Sequence, residues 1–186
     1  YSSEYMSVKS YNGKTVSEMN FASGNPKGEL QVSNIVLAPG AKKTGTIIRW
    51  RPDLEVFTDI NISREYYSGM LKRQAVVTEG IKFVFKWQLE DGTFEETEYF
   101  YENGLVDYIS EIAGDTAETK IATWHLETKG RDREDLPDYK LKCDIAFCMS
   151  KTVNTLEYYH CASYLEHGGS PEKAVKNESA CRHIES

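Results

Sequence analysis

The sequence predicts an α+β fold, an antiparallel sheet with helices packed on one face, and three observations carry that expectation. Extended apolar runs recur along the chain, divided by turn pairs such as Asn12-Gly13, Pro39-Gly40 and Asp91-Gly92. Helical periodicity is confined to a few short stretches and does not alternate regularly with strands, so meandering antiparallel pairing is favoured over a parallel sheet. No apolar run approaches the roughly 20 residues needed to cross a bilayer.

From the N-terminal side, residues 5 to 21 are expected to form a hairpin, with Asn12-Gly13 in a type I′ turn. Ser23 to Gly28 is a loop, Leu30 to Leu37 is extended, and Pro39-Gly40 turns the chain again. The small-residue turn Thr44-Gly45-Thr46 then opens an apolar strand. That strand stops at Pro52, because proline cannot donate to a ladder. Alternation along it puts Thr46, Ile48 and Trp50 on one face. A hydroxyl beside a branched apolar side chain can line a pocket for a flat heterocycle.

Ser63 can cap a helix whose apolar positions are Tyr66, Tyr67, Met70, Leu71 and Ala75, released at Gly80. Ile81, Phe83, Phe85 and Trp87 share a face of the next strand, and Asp91-Gly92 turns it into a partner running from Phe94 to Phe100. A helix from Leu105 to Ala113 ends at Gly114, where a glycine commonly terminates a helix. Composition shifts at Asp115 to Thr119, which sets a domain boundary dividing residues 1–114 from 115–186. Beyond it come a strand near Ile121 to Leu126, a charged loop from Lys129 to Asp138, and two antiparallel strands at Tyr139 to Met149 and Leu156 to Ala162. Ser170-Pro171-Glu172 is a helix start, with a capping hydroxyl, Pro at the first helical position and an acid in the first turn. The tail from Glu178 to Ser186, which includes His183, is poor in apolar residues and is expected to fray.

The chain has 186 residues, 40% hydrophobic and 27% charged, enough for one large or two small domains with a real core. Its net charge of −7 opposes a surface that clamps phosphates everywhere, while permitting a local basic patch. Cys143, Cys148, Cys161 and Cys181 form neither a Cys-x-x-Cys pair nor a zinc-finger spacing, so no metal site is expected. Reduced thiols fit a cytoplasmic protein. Residues 1–5 lack the basic and apolar regions of a secretory signal, and Tyr1 is expected to begin an excised fragment.

Three landmarks lie in a meaningful order. Residues 44 to 57 carry Thr-Gly-Thr-x-x-Arg-x-x-Pro-Asp-x-x-x-Phe, residues 101 to 109 carry Tyr-Glu-Asn-Gly-Leu-Val-Asp-Tyr-Ile, and Gly168-Gly169 precedes a helix. Together they resemble the ATPase subunit of bacterial type IIA DNA topoisomerases, that is, the gyrase B protein of DNA gyrase and its topoisomerase IV counterpart. The resemblance implies the C-terminal part of a GHKL-type ATP-binding domain over 1–114 and the start of a β-α-β transducer domain over 115–186. It gives Thr46 the role of the family's adenine-site threonine and makes Ile48 an apolar wall of that pocket. It equates Gly168-Gly169 with a Gly-Gly-Thr-His loop and Lys176 with a basic residue facing the DNA-capturing cavity of a dimer. The sequence departs from the family at Ser170-Pro171, which stands where Thr-His is usual, and at Tyr11-Asn12, so inhibitor contacts there are not carried over.

The resemblance further implies ATP and Mg²⁺ as cofactors of the intact enzyme. The partners it implies are DNA, the DNA-cleaving gyrase A protein or its topoisomerase IV equivalent, and a second copy of the full ATPase subunit. The chain contains no Glu-x-x-x-Asn-x-x-Asp, no Asp-x-Gly-x-Gly and no Walker sequence. By itself it is therefore expected neither to bind nor to hydrolyse ATP. The competing class is a non-enzymatic α+β interaction module that has lost nucleotide chemistry. A mismatch-repair ATPase or chaperone of the same superfamily would fit the fold but not the Thr-Gly-Thr and Tyr-Glu-Asn-Gly landmarks.

Overall fold

Alternating polar and apolar residues joined by a glycine turn make the first hairpin. β1 (Ser3–Gly13) pairs antiparallel with β2 (Thr15–Ala22), in register from Asn12↔Thr15 to Tyr5↔Ala22. This computed structural model describes residues 2–131 and 133–182. The expected hairpin is present, but its turn is centred on Gly13-Lys14, one residue beyond the predicted Asn12-Gly13. Only Gly13 has positive φ there (70°), which suits a turn with glycine first rather than one needing positive φ twice. The doubly positive pair is instead Ser23-Gly24 (47° and 79°), which folds β3 (Asn25–Pro26) back onto β2.

β4 (Gln31–Asn34) is shorter than the run from Leu30 to Leu37 and pairs with the outer half of β2. β5 (Lys43–Pro52) lies antiparallel to β1, from Gly13↔Lys43 to Ser3↔Pro52, giving the order β3-β2-β1-β5 with β5 at the edge. Pro52 ends it as its missing donor requires. Cross-strand charges lock the hairpin, Lys9 Nζ lying 2.9 Å from Glu18, and Lys43 caps the Tyr11 ring at 4.0 Å. These strands form one compact unit, Tyr1–Ile62, and the remainder forms a second, Ser63–Ser186.

In the second unit, α1 (Arg64–Val77) starts where Ser63 Oγ accepts from the Tyr66 amide at 3.2 Å. Its inward face differs from the expected stripe. Ala75 and Val76 are fully buried, while Tyr66 and Met70 are exposed. The reason is tertiary: Phe85 lies against Tyr67 and Tyr99 bonds Ser68, so the helix turns the line from 67/68 to 75/76 inward. β6 (Phe83–Gln88) and β7 (Phe94–Tyr99) form the Asp91-Gly92 hairpin, with Phe83, Phe85 and Trp87 on the half-buried face. Ile81 lies ahead of β6 and is exposed. The opposite face is a charge ladder, with Lys82–Glu98 at 2.9 Å and Lys86–Glu96 at 2.5 Å.

α2 (Leu105–Ala113) has the predicted bounds and runs into a 3-10 turn, Gly114–Thr116. The core of this unit is Ala75, Val76 and Tyr101, with Val77, Phe83, Tyr99, Leu105 and Tyr108 packed around it. β8 (Ala122–Gly130) pairs with β9 (Tyr139–Phe147) along its whole length. Lys129 and Gly130, expected in the charged loop, stay in the ladder. Gly130 faces Tyr139 so closely that a Cβ there would lie 2.6 Å from the ring. The expected strand from Leu156 to Ala162 is broken and does not pair with Tyr139 to Met149, because β8 takes the ladder of β9 and the broken segment pairs with itself. Cys161, with φ of 52°, opens a two-residue turn between β10 (Tyr159–His160) and β11 (Ser163–Tyr164). α3 (Gly169–Arg182) begins one residue before Ser170. Of the tail expected to fray, Glu178 to Arg182 continue α3, and His183 to Ser186 lie outside the described residues. Among the described residues no helix is long and apolar enough to cross a membrane.

Candidate functional site

The Thr-Gly-Thr strand brings two of the predicted residues together. Thr46 pairs with Ser10, Ile48 with Val8 and Trp50 with Met6, and the two-residue period sets all three β5 side chains on one face. Ile48 is 61% exposed and Trp50 51%, so this face is a surface rather than a pocket within the chain. Gly45 has φ of 129° with open space where a Cβ would stand, so backbone conformation alone demands glycine just before Thr46. One hydroxyl and one branched apolar group, side by side on a flat strand face, can meet the edge and the plane of a heterocycle.

The other predicted residues lie in the second unit, around the start of α3. Gly168 and Gly169 both have left-handed backbone, with φ of 68° and 65°. The Glu172 side chain lies against Gly168, and a Cβ on Gly168 would sit 2.6 Å from Glu172 Cβ. Glu172 is thus an acid in the first turn of α3, where the positive end of the helix favours negative charge. Lys176 Nζ is held 2.7 Å from Glu172 Oε1 at helical i, i+4 spacing, and that bond raises the lysine above its ordinary range.

A third cluster escaped the sequence reading. Tyr101 Oη donates to Glu111 Oε2 at 2.6 Å, and Lys72 Nζ reaches Glu111 Oε1 at 2.6 Å. Burial would raise the Glu111 carboxyl, but these two partners outweigh it and leave it lowered. Lys72 also lies 5.5 Å from the centre of the Tyr108 ring. Tyr108 Oη donates to Glu157 Oε1 at 3.0 Å, and Tyr159 Oη donates to Glu157 Oε2 at 2.5 Å. Arg73 stacks on Tyr164 at 4.5 Å, and Tyr164 meets Tyr159 edge-on with ring centres 5.7 Å apart. Burial, then the Glu157 carboxylate, pushes Tyr108 up to about 12; burial and the same carboxylate also raise Tyr159. The spacing of Tyr108 and Glu111 on one helical face was a visible signal. The Glu157 partnership was not, because it joins residues 49 positions apart.

No family model matches the chain. Among curated proteins it is 28% identical over 156 residues to the gyrase B protein of Helicobacter pylori strain ATCC 700392 / 26695, covering 84% of this chain and 19% of that protein. It is 28% identical over 120 residues to the corresponding DNA topoisomerase 4 protein of Mycoplasma capricolum, covering 64% of this chain and 18% of that protein. The chain therefore spans about a fifth of the length of these relatives. Among solved structures, the 43K ATPase domain of Thermus thermophilus gyrase B, in complex with an aminocoumarin, superimposes with a TM-score of 0.54 at 21% identity. That likeness covers 72% of this chain and 34% of the other and shows a shared fold. The resemblance read from the landmark residues and the α+β class expected from the sequence are both borne out.

Proposed function

We propose that this chain, a relative of the ATPase subunit of bacterial type IIA DNA topoisomerases, is the part of such an enzyme that joins nucleotide binding to the movement of DNA. In the intact enzyme ATP would close a dimeric clamp around one duplex, and strand passage would follow at the cleavage core formed with the gyrase A protein or its equivalent. Residues 1–114 correspond to the end of the GHKL nucleotide-binding domain and residues 115–186 to the beginning of the transducer. The cellular setting of this reaction is the cytoplasm, and the nucleotide would be bound with Mg²⁺.

The observation that carries the reading is the β5 face. Thr46 and Ile48 are adjacent on it and exposed, ready to form one side of a base-binding pocket whose other side is supplied by other elements of the intact protein. The Thr46 hydroxyl would fix the edge of the adenine and Ile48 would lie against its plane. ATP contributes the phosphoryl group whose hydrolysis resets the clamp; this chain's residues orient the base. Lys176 would turn its charge toward DNA, in exchange for its present partner Glu172.

The test is Thr46→Val in the complete ATPase protein, a change that keeps shape and removes one hydroxyl. Nucleotide binding is expected to weaken by about 1–2 kcal/mol, the scale of one buried hydrogen bond. Unchanged affinity would remove Thr46 from the pocket. A second reading, a non-enzymatic interaction module, draws on Ser170-Pro171 and on the Glu172 side chain packed against Gly168. It is favoured if the complete protein binds no nucleotide at all.

A further inference from the structure

The second unit contains a carboxylate whose position is hard to explain by local structure alone. Glu157 lies in the irregular segment before β10 and is half-buried, with each of its two oxygens accepting a different phenol. Tyr108 comes from α2, and Tyr159 comes from β10. A hydrogen bond to an ionised acceptor is about twice as strong as a neutral one, and two such bonds fix both position and rotation of the carboxylate. α1 adds a third attachment, because Arg73 stacks on Tyr164 of β11. Tyr108 is itself held by Lys72 over its ring and by edge contact with Tyr101, whose hydroxyl is tied to Glu111.

The β10–β11 hairpin is therefore fastened to α1 and α2 almost wholly by side chains. The hairpin ladder itself is only two residues on each side. From it the chain passes directly into the Gly168-Gly169 turn, since the Leu165 amide donates to the Tyr158 carbonyl at 2.8 Å and the Gly168 amide to Leu165 at 3.0 Å. Whatever holds the hairpin sets where α3 begins.

We propose that Glu157 is a positioning residue, the clasp through which α1 and α2 hold the β10–β11 hairpin and the start of α3, and so pass nucleotide state on to the transducer. The coupling half of this proposal rests on the topoisomerase reading given above. The clasp half rests on the side-chain geometry alone. Replacing the carboxylate with a neutral amide leaves one acceptor oxygen for two phenols and ends the charge-assisted bonds, which loosens the hairpin, while the core around Ala75 and Val76 stays intact. Movement of α1 or α2 in the intact protein would then no longer carry α3 with it.

The experiment compares the wild type with Glu157→Gln and with Tyr159→Phe, the latter keeping the ring and removing only the hydroxyl. Amide hydrogen exchange of residues 158–169 in this chain is expected to rise about tenfold or more in Glu157→Gln, with a smaller rise in Tyr159→Phe. Amides of α1 are expected to keep their rates in both. In the complete enzyme, with the DNA-cleaving protein present, ATP affinity should stay within about twofold, whereas DNA strand passage per ATP hydrolysed should fall about fivefold or more. A role in general stability would instead lower nucleotide binding and strand passage together, and that pattern overturns the proposal. Wild-type exchange in the hairpin of the variants overturns the clasp, and unchanged strand passage per ATP overturns the coupling. If the wild-type enzyme binds no nucleotide, the topoisomerase reading and the coupling fall, while the exchange result still decides the clasp.

Discussion

Tyr108 shows how much one side chain's chemistry depends on distant chain. Its ring packs beside the core of the second unit, and its hydroxyl is committed to Glu157. Burial and that carboxylate disfavour the phenolate, so Tyr108 is pushed up to about 12 from an ordinary 10.0. The folded state thus favours the protonated phenol. A raised acid gives stability that is fully present below pH 10 and is lost as pH climbs toward about 12. Tyrosinate absorbance at 295 nm should therefore have a late component in the folded chain, above that of the exposed tyrosines. Subtracting the titration of Tyr108→Phe should isolate it, and a difference curve centred near 10 would show that the hydroxyl is solvated. Nothing in the local sequence signals this. Tyr108 reads simply as an apolar position of a short helix, and the residue that shifts it lies 49 positions later.

At the scale of elements, legibility followed locality. A hairpin whose turn and alternation are written in one short stretch, β6–β7, lies where alternation and turn chemistry put it, because pleat period and turn chemistry agree. The partner of β9 across a longer loop, β8, was not legible. The α1 stripe is shifted by one position, because apolar residues at 66, 67, 70 and 71 offer two overlapping faces and only Phe85 and Tyr99 choose between them. The short β10–β11 hairpin is not legible because Cys161 adopts a left-handed turn conformation that its residue type rarely takes. Gly104, part of the landmark segment at 101–109, is a case where identity and geometry meet. It caps α2 with φ of 51° and ψ of −118°, and a Cβ there would stand 3.1 Å from the Val76 carbonyl oxygen. Both the backbone and the close approach of α1 demand glycine. Gly104→Ala is expected to destabilise the second unit by about 1–3 kcal/mol, read as a lower denaturant midpoint at unchanged slope. A Gly114→Ala control has left-handed φ but open space, so it separates strain from collision. Equal losses in the two variants would mean that contact with α1 contributes nothing.

Across the whole molecule, the likeness to gyrase B and topoisomerase 4 proteins was legible from three short landmarks and the α+β class from turns and alternation, while a binding surface is distributed beyond any one segment. The strand bearing Thr46 and Ile48 presents its residues to solvent, with Ile48 at 61% and Trp50 at 51% exposure. Small-molecule sites bury about 70–90% of a ligand's surface, which a single strand face cannot do. Association also costs about 4 kcal/mol or more in lost translation and rotation. A base stacked on one apolar side chain with one hydrogen bond recovers too little to offset that. The 186-residue chain titrated with ATP and Mg²⁺ in a calorimeter is therefore expected to give no saturable heat up to millimolar nucleotide, a binding free energy weaker than about −4 kcal/mol. If the proposed topoisomerase reading holds, the same titration on the complete protein should saturate, and Thr46→Val should weaken it. Saturable binding by this chain alone would mean that the nucleotide site lies elsewhere in it, and would sink the assignment of the β5 face as half of a pocket.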